Sequence, residues 1–187
     1  MNPRDAVARI TIGVLYQKHG NYQVAKEMYE DAIKIDDTLS EPHYNLGVVY
    51  LYEGRNESAL DELAKARRLS PDDAGIRHKL GQAKVALERY DEALKDFNEA
   101  VLLDPEYTPA YLEKARLFYS LRRYAEAAAL CRTALANAPK TDVTGVAKTT
   151  RGNRLLDKIL PTGEEEEPVR TWRAEAAYDL ALCLKAQ

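Results

Sequence analysis

The segment Tyr90-Asp91-Glu92-Ala93-Leu94-Lys95-Asp96-Phe97-Asn98-Glu99-Ala100 decides the fold. Ala93, Phe97 and Ala100 recur at helical spacing, so the segment predicts an amphipathic helix with one apolar stripe. The stripe combines small and large side chains, which suits close contact between two helices. Asp104-Pro105 follows, and because proline cannot continue a helix, we expect the helix to end there.

The same pattern returns every 34 residues along the chain. Two alanine columns are complete, and glycine, proline and large side chains follow the same step. The columns are Ala25, Ala59, Ala93 and Ala127; Ala32, Ala66, Ala100 and Ala134; Gly13, Gly47, Gly81 and Ala115; Pro71, Pro105 and Pro139; and Tyr29, Leu63, Phe97 and Cys131. A fixed period of this length is typical of stacked helical hairpins, because one pair of helices cannot bury its apolar stripe alone.

This pattern resembles that of the tetratricopeptide repeat (TPR) family, with Asn45-Leu46-Gly47-Val48-Val49-Tyr50 as another close match. Four units match, at residues 6–39, 40–73, 74–107 and 108–141. The resemblance implies an all-α fold, an α-solenoid of helix-turn-helix repeats that winds as a right-handed superhelix. Lys84 and Cys131 depart from the pattern by replacing large apolar or aromatic residues, and we expect looser packing around them.

After the fourth unit the period stops. Residues 142–169 include the run Glu164-Glu165-Glu166-Glu167 and read as a flexible acidic insertion. Residues 170–187 predict a C-terminal helix, with Leu180-Ala181-x-x-Leu184 resembling the start of a fifth unit. We therefore predict three segments: residues 1–141 with the four TPR units, the insertion at 142–169, and a capping or partial fifth-repeat helix at 170–187.

The two ends of the chain leave two interpretations open. The chain is either a segment of a longer protein, or complete with residues 172–187 as its cap, since repeat arrays need polar capping helices. Apolar residues near the ends also predict possible self-association through the terminal helices.

Composition excludes several classes of function. Lysine plus arginine is 27 and aspartate plus glutamate is 30, giving a net charge of −3, so no basic surface for nucleic acid is expected. The apolar run Leu46 to Tyr52 is too short to span a membrane. Two cysteines are too few for a disulfide framework and fit no zinc spacing, so we expect a reducing, cytoplasmic compartment.

Candidate catalytic groups are sparse. His19, His43 and His78 form no metal-binding spacing with other ligands, and His43 is expected to pack structurally. The stretch Gly145 to Thr150 lacks the glycine spacing and preceding strand of a phosphate-binding loop. We predict no metal, no cofactor and no enzymatic activity.

The TPR resemblance implies that the first helix of each unit lines an inner groove, which usually holds a partner peptide. Helical spacing from the packing columns predicts which side chains point inward. They are Ile10, Val14 and Lys18 in the first unit; Tyr44, Asn45, Val48 and Tyr52 in the second; His78, Lys79, Gln82 and Val85 in the third; and Leu112, Arg116 and Tyr119 in the fourth. The Ile, Val, Leu and Tyr side chains of this set predict a scaffold that binds a partner helix or extended peptide. The alternative is that some of these side chains pack on neighbouring helices or are covered by the C-terminal tail.

Two alternatives remain open. TPR co-chaperones grip acidic C-terminal peptides with a clamp of lysine, arginine and asparagine side chains. Asn45 matches one clamp position and Lys79 replaces an arginine, whereas Ile10, Val14 and Gly75 do not match. The other alternative is a docking segment of a larger enzyme or assembly machine, which the appearance of the ends suggests.

Overall fold

The computed structural model describes residues 3–137 and 178–186. Eight helices lie in the first of these ranges: α1 Pro3–Lys18, α2 Tyr22–Ile35, α3 Ser40–Tyr52, α4 Asn56–Leu69, α5 Ala74–Ala86, α6 Tyr90–Leu103, α7 Thr108–Ser120 and α8 Tyr124–Asn137. Residues 178–185 are also helical. The described ranges contain no strand, and the predicted all-α class of helix-turn-helix repeats is confirmed.

Successive helices pack in pairs, α1 with α2, α3 with α4, α5 with α6 and α7 with α8. The chain divides into two compact units, Met1–Pro105 and Glu106–Gln187. In the first unit α2 also contacts α3, and α4 contacts α5, so each pair packs on the next. This stacking buries apolar stripes that a single pair would leave in water.

Small residues allow the two helices of a pair to approach closely. A Cβ atom placed on Gly47 would lie 2.6 Å from Cγ of Leu63, and Gly81 faces the ring of Phe97 in the same way. The alanines of both complete columns are 0 % exposed. The large side chains Tyr29, Leu63 and Phe97 fill the remaining space and are also fully buried.

The turn inside every pair has one repeated geometry. Gly20, Gly54, Glu88 and Arg122 occupy equivalent positions with φ of 75°, 71°, 59° and 60°. The next residue then donates its backbone N–H to a carbonyl five positions earlier, as from Arg89 to Lys84 at 2.9 Å. This pattern satisfies carbonyls that a helix end leaves unpaired. It also places two non-glycine residues in the left-handed region.

Lys84, which departs from the repeat pattern, is accommodated by an ion pair with a buried carboxylate. Its Nζ lies 2.7 Å from Oδ2 of Asp96, which is 3 % exposed, and Nη1 of Arg77 lies 3.8 Å from the other carboxylate oxygen. A buried ion pair therefore occupies the position that an aromatic ring fills at Tyr50 and Phe118.

The predicted division into three segments stays a prediction. The acidic insertion at 142–169 and the stretch Gly145 to Thr150 lie outside the described residues. Of the C-terminal helix predicted at 170–187, the structure describes residues 178–186.

Candidate partner-binding surface

The first helices of the three pairs form one layer in the first compact unit. Helix α3 contacts both α1 and α5, whereas α2, α4 and α6 of the same unit make no such contacts with one another. Helices that stay in contact lie on the tighter side of the stack, so α1, α3 and α5 form the inner layer of this unit.

Tyr52 is the most exposed aromatic side chain predicted for the inner surface, with 69 % of its area in contact with solvent. Its ring stacks on Tyr22 of α2, with ring centroids 5.7 Å apart and planes at 18°. Nearby, Nζ of Lys26 lies 2.6 Å from Oε1 of Glu53. Stacking on a second ring holds Tyr52 in place and leaves its other face open.

Other residues predicted for the inner surface keep part of their side-chain area exposed to solvent. Lys18 is exposed, and five side chains are half-buried: Val14, Tyr44, Lys79, Gln82 and Val85. Burial raises the pKa of Tyr44 to about 12, with smaller contributions from the negative charge of Asp73 and from Tyr52. Nζ of Lys79 donates to Oε1 of Gln82 at 2.9 Å, so these two polar groups are held side by side.

Four predicted residues of the first unit lie inside the inner layer rather than on it. Ile10 is 3 % exposed, Asn45 9 %, Val48 8 % and His78 5 %. The reason is lateral packing, since α3 has a neighbour on each side. Ile10 belongs to a core cluster with Tyr29 and other residues of α2 and α3. These side chains give a partner little surface.

The two buried histidines have different surroundings. His78 lies 6.2 Å from Phe97 between ring centroids, and burial, followed by the positive charge of Lys79, lowers the pKa of His78 to about 3. The imidazole is therefore neutral at physiological pH. His43 is 7 % exposed, and its Nδ1 lies 2.7 Å from Oε2 of Glu62.

The second compact unit places its predicted residues differently. Leu112 is 2 % exposed and packs with Ala134. Nε of Arg116 donates to Oδ2 of Asp179 at 3.1 Å, and Arg116 also contacts Glu113. Arg116 and Tyr119 line a cavity of about 80 Å³ together with residues of the 178–185 helix. The chain's own C-terminal residues thus cover part of α7.

Another recess of about 350 Å³ lies beside α4. Tyr50 and polar residues of α4 line it, among them Asp61, Glu62 and Lys65. Within residues 3–137 and 178–186, no group of three or more metal-binding side chains occurs. No helix among these residues is long and apolar enough to cross a bilayer.

The family model described as tetratricopeptide repeat matches residues 10–74 and 78–141. The chain belongs to the tetratricopeptide repeat family. The match covers both compact units and agrees with the four helix pairs of the structure.

Two curated proteins are similar to this TPR chain. Anaphase-promoting complex subunit 3 of Schizosaccharomyces pombe is 29 % identical over 108 residues, which are 58 % of this chain and 16 % of the relative. Human tetratricopeptide repeat protein 6 is 27 % identical over 142 residues, 76 % of this chain and 27 % of the relative. The chain thus spans about a quarter or less of these curated relatives.

Among solved structures, the second TPR domain of human RPAP3 in complex with the HSP70 peptide SGPTIEEVD is similar. It has a TM-score of 0.59 and 26 % identity, and the match covers 62 % of this chain and 98 % of that domain.

Sequence reasoning missed two features of the TPR surface. The first is the stacking of Tyr22 on Tyr52, although the position of Tyr22 at the start of the helix that follows Gly20 is visible in the sequence. Asp179 was not assigned a role, and no sequence spacing links it to Arg116, 63 positions earlier.

Proposed function

We propose that this TPR chain is a non-catalytic scaffold that binds a protein partner on the inner layer of its first compact unit. The observation that carries the proposal is Tyr52, an aromatic side chain 69 % exposed on α3 and held by stacking on Tyr22. Rigid, exposed aromatic side chains are frequent anchors of protein interfaces.

The surrounding side chains suggest the chemistry of the partner. Val14, Tyr44 and Val85 offer apolar surface on the same inner layer as Tyr52, while Lys18 and Lys79 add two positive charges. A few charges among apolar groups suit a helix or an extended peptide with apolar anchors and an acidic residue at its edge. We propose such a segment as the partner, in a reducing, cytoplasmic compartment.

A capture experiment tests this assignment. Full-length wild type and the Tyr52→Ala variant would be used as bait in extracts of the native host, and each captured protein would then be titrated in purified form. We expect Tyr52→Ala to lower the affinity for the captured partner about tenfold or more, because an anchor residue contributes about 2 kcal/mol to binding.

Tyr90→Ala is the matched control. Tyr90 is 38 % exposed on α6, outside the inner layer, so its removal tests the loss of a tyrosine elsewhere on the same unit. Equal affinity for wild type and Tyr52→Ala would contradict the placement of the partner.

A second candidate function is an adaptor for acidic C-terminal peptides. Nδ2 of Asn45 is buried and has no hydrogen-bond acceptor within the described residues, and an acceptor supplied by a ligand would satisfy it. The similar RPAP3 domain is complexed with an HSP70 peptide that ends in EEVD. Against this candidate, Arg116 already pairs with Asp179 in the second unit.

Calorimetry with an acidic C-terminal peptide at low and high salt decides this candidate. Binding through charge should weaken as salt rises, and Lys79→Met should reduce both the affinity and its salt dependence. Lys95→Met is the control, because it removes the same positive charge at an exposed position on α6. Absence of salt-sensitive binding to wild type rejects this candidate.

The chain also suits a role as a docking segment within a larger protein. Its relatives are several times longer than the matched region, and one of them is a subunit of a multiprotein complex. In that setting the first unit would supply the binding surface and other parts of the protein any chemistry. Any self-association would go through the apolar side chains near the ends, Val7 and Leu184 among them, which are exposed.

A further inference from the structure

The two cysteines of the chain lie together in the second compact unit. Cys131 of α8 is 0 % exposed and Cys183 of the 178–185 helix is 2 % exposed, and both are free thiols. The two side chains line the same cavity of about 80 Å³ and lie close enough for each to affect the pKa of the other. Two cysteines that are distant in sequence are thereby brought to the same cavity.

The position of Cys131 in the repeat explains how this contact arises. The other three units carry Tyr29, Leu63 and Phe97 at the equivalent position, and those large side chains fill their own layers. The shorter Cys131 leaves space that Cys183 and Leu182 enter from the C-terminal helix. Packing alone requires only a small apolar side chain here, so paired thiols call for a further explanation.

We propose that Cys131 and Cys183 are a redox modification site, at which a reversible intramolecular disulfide ties the 178–185 helix to α8. The co-reactant is a low-molecular-weight disulfide of the glutathione class. The site lies outside the proposed partner surface of the first unit and does not depend on that proposal.

The chemistry is two successive thiol–disulfide exchanges. The thiolate of one cysteine attacks the small disulfide, forming a mixed disulfide and releasing one small thiolate, which takes up a proton. The second cysteine loses its proton, attacks the protein sulfur of the mixed disulfide and displaces the second small thiol. The two protein thiols lose two electrons and two protons, and one small disulfide becomes two thiols.

Burial controls how fast this reaction proceeds. Burial raises the pKa of Cys131 to about 12, with smaller contributions from Cys183 and Asp179. The positive charge of Arg116 opposes that rise. Burial also raises the pKa of Cys183. Because the thiolate is the nucleophile, the reduced pair is slow to react while the helix is docked. Exchange then follows opening of the 178–185 helix, and its rate increases with pH.

An equilibrium measurement tests the proposal. The reduced full-length chain would be incubated in buffers of defined oxidised-to-reduced glutathione ratio, quenched with acid and analysed by intact mass and peptide mapping. We expect a species lighter by two hydrogen atoms, with Cys131 and Cys183 in one linked peptide. The oxidation equilibrium constant of the folded chain should exceed that of the urea-denatured chain by about tenfold or more, because an unfolded linker provides only about millimolar effective concentration.

The variant Cys183→Ala serves as the control, with circular dichroism to verify that it remains helical. It should give at most a mixed disulfide on Cys131. A folded-state constant equal to or below that of the denatured chain would overturn the proposal. Mixed or intermolecular disulfides as the main products of the wild type would overturn it as well.

Discussion

The buried carboxylate of Asp96 is held by two cations of α5. Oδ2 lies 2.7 Å from Nζ of Lys84, and Oδ1 lies 3.8 Å from Nη1 of Arg77, which also pairs with Glu99. A buried charge is tolerated only when it is paired, because removal from water costs several kcal/mol. Lys84 and Asp96 therefore depend on each other, although Lys84 breaks the aromatic pattern of its repeat column.

This dependence predicts a specific double-mutant result. Lys84→Met should destabilise the chain by about 2–3 kcal/mol, since Asp96 would retain only the more distant Arg77. Adding Asp96→Leu, the residue found at the equivalent Leu130, should recover most of that loss. Urea unfolding of the single and double variants measures both values. Additive losses in the double variant would show that the two side chains are not coupled.

His78 predicts a pH dependence of stability. Burial lowers the pKa of His78 to about 3, below its ordinary value of 6.5. The unfolded chain therefore binds an extra proton between these two values, and stability is full above about pH 6.5 and falls as the pH decreases. We expect wild type to lose roughly 2 kcal/mol between about pH 7.5 and about pH 5, at about 1.4 kcal/mol per pH unit.

Urea unfolding of wild type, His78→Leu and His19→Gln at both pH values checks this prediction. His19 is exposed and serves as the control, which should show the wild-type dependence. The His78→Leu variant should lose less stability on acidification. An equal loss in His78→Leu would assign the pH dependence to other groups.

At the scale of elements, the sequence predicted the helix pairs well because small and large residues recur on one face at a constant step. Glycine at positions 20 and 54 is typical of turns with positive φ. The equivalent turns at Glu88 and Arg122 carry no such signal, yet they adopt φ of 59° and 60°. The register of the flanking helices imposes this geometry, and residue type at the turn does not determine it.

These turns predict opposite effects of matched substitutions. Glu88→Gly should raise the free energy of unfolding by about 0.5–1 kcal/mol. A side chain in the left-handed region costs about 1–2 kcal/mol, and the greater conformational entropy of glycine in the unfolded chain offsets part of the relief. Gly20→Ala should destabilise it by about 1 kcal/mol, since no atom lies within 4 Å of the added Cβ and only the backbone is strained. Thermal unfolding compares the two. Destabilisation by Glu88→Gly would contradict a strained turn.

At the scale of the whole molecule, the repeat period was sufficient to predict the family and the four helix pairs. It was less informative about the binding surface. Periodicity assigns a helix face, but it does not show whether Ile10, Val48 or Leu112 on that face is covered by a neighbour. The contact of Asp179 with Arg116 joins segments far apart in sequence, and no local pattern encodes it.

The central claim is that a partner binds the layer formed by α1, α3 and α5 of the first unit. Hydrogen–deuterium exchange of the full chain, with and without a purified captured partner, measures this most directly. We predict added protection in these three helices and around Tyr52, with little change in α4 and α6. Protection confined to α4 and α6, or to the second unit, would contradict the account.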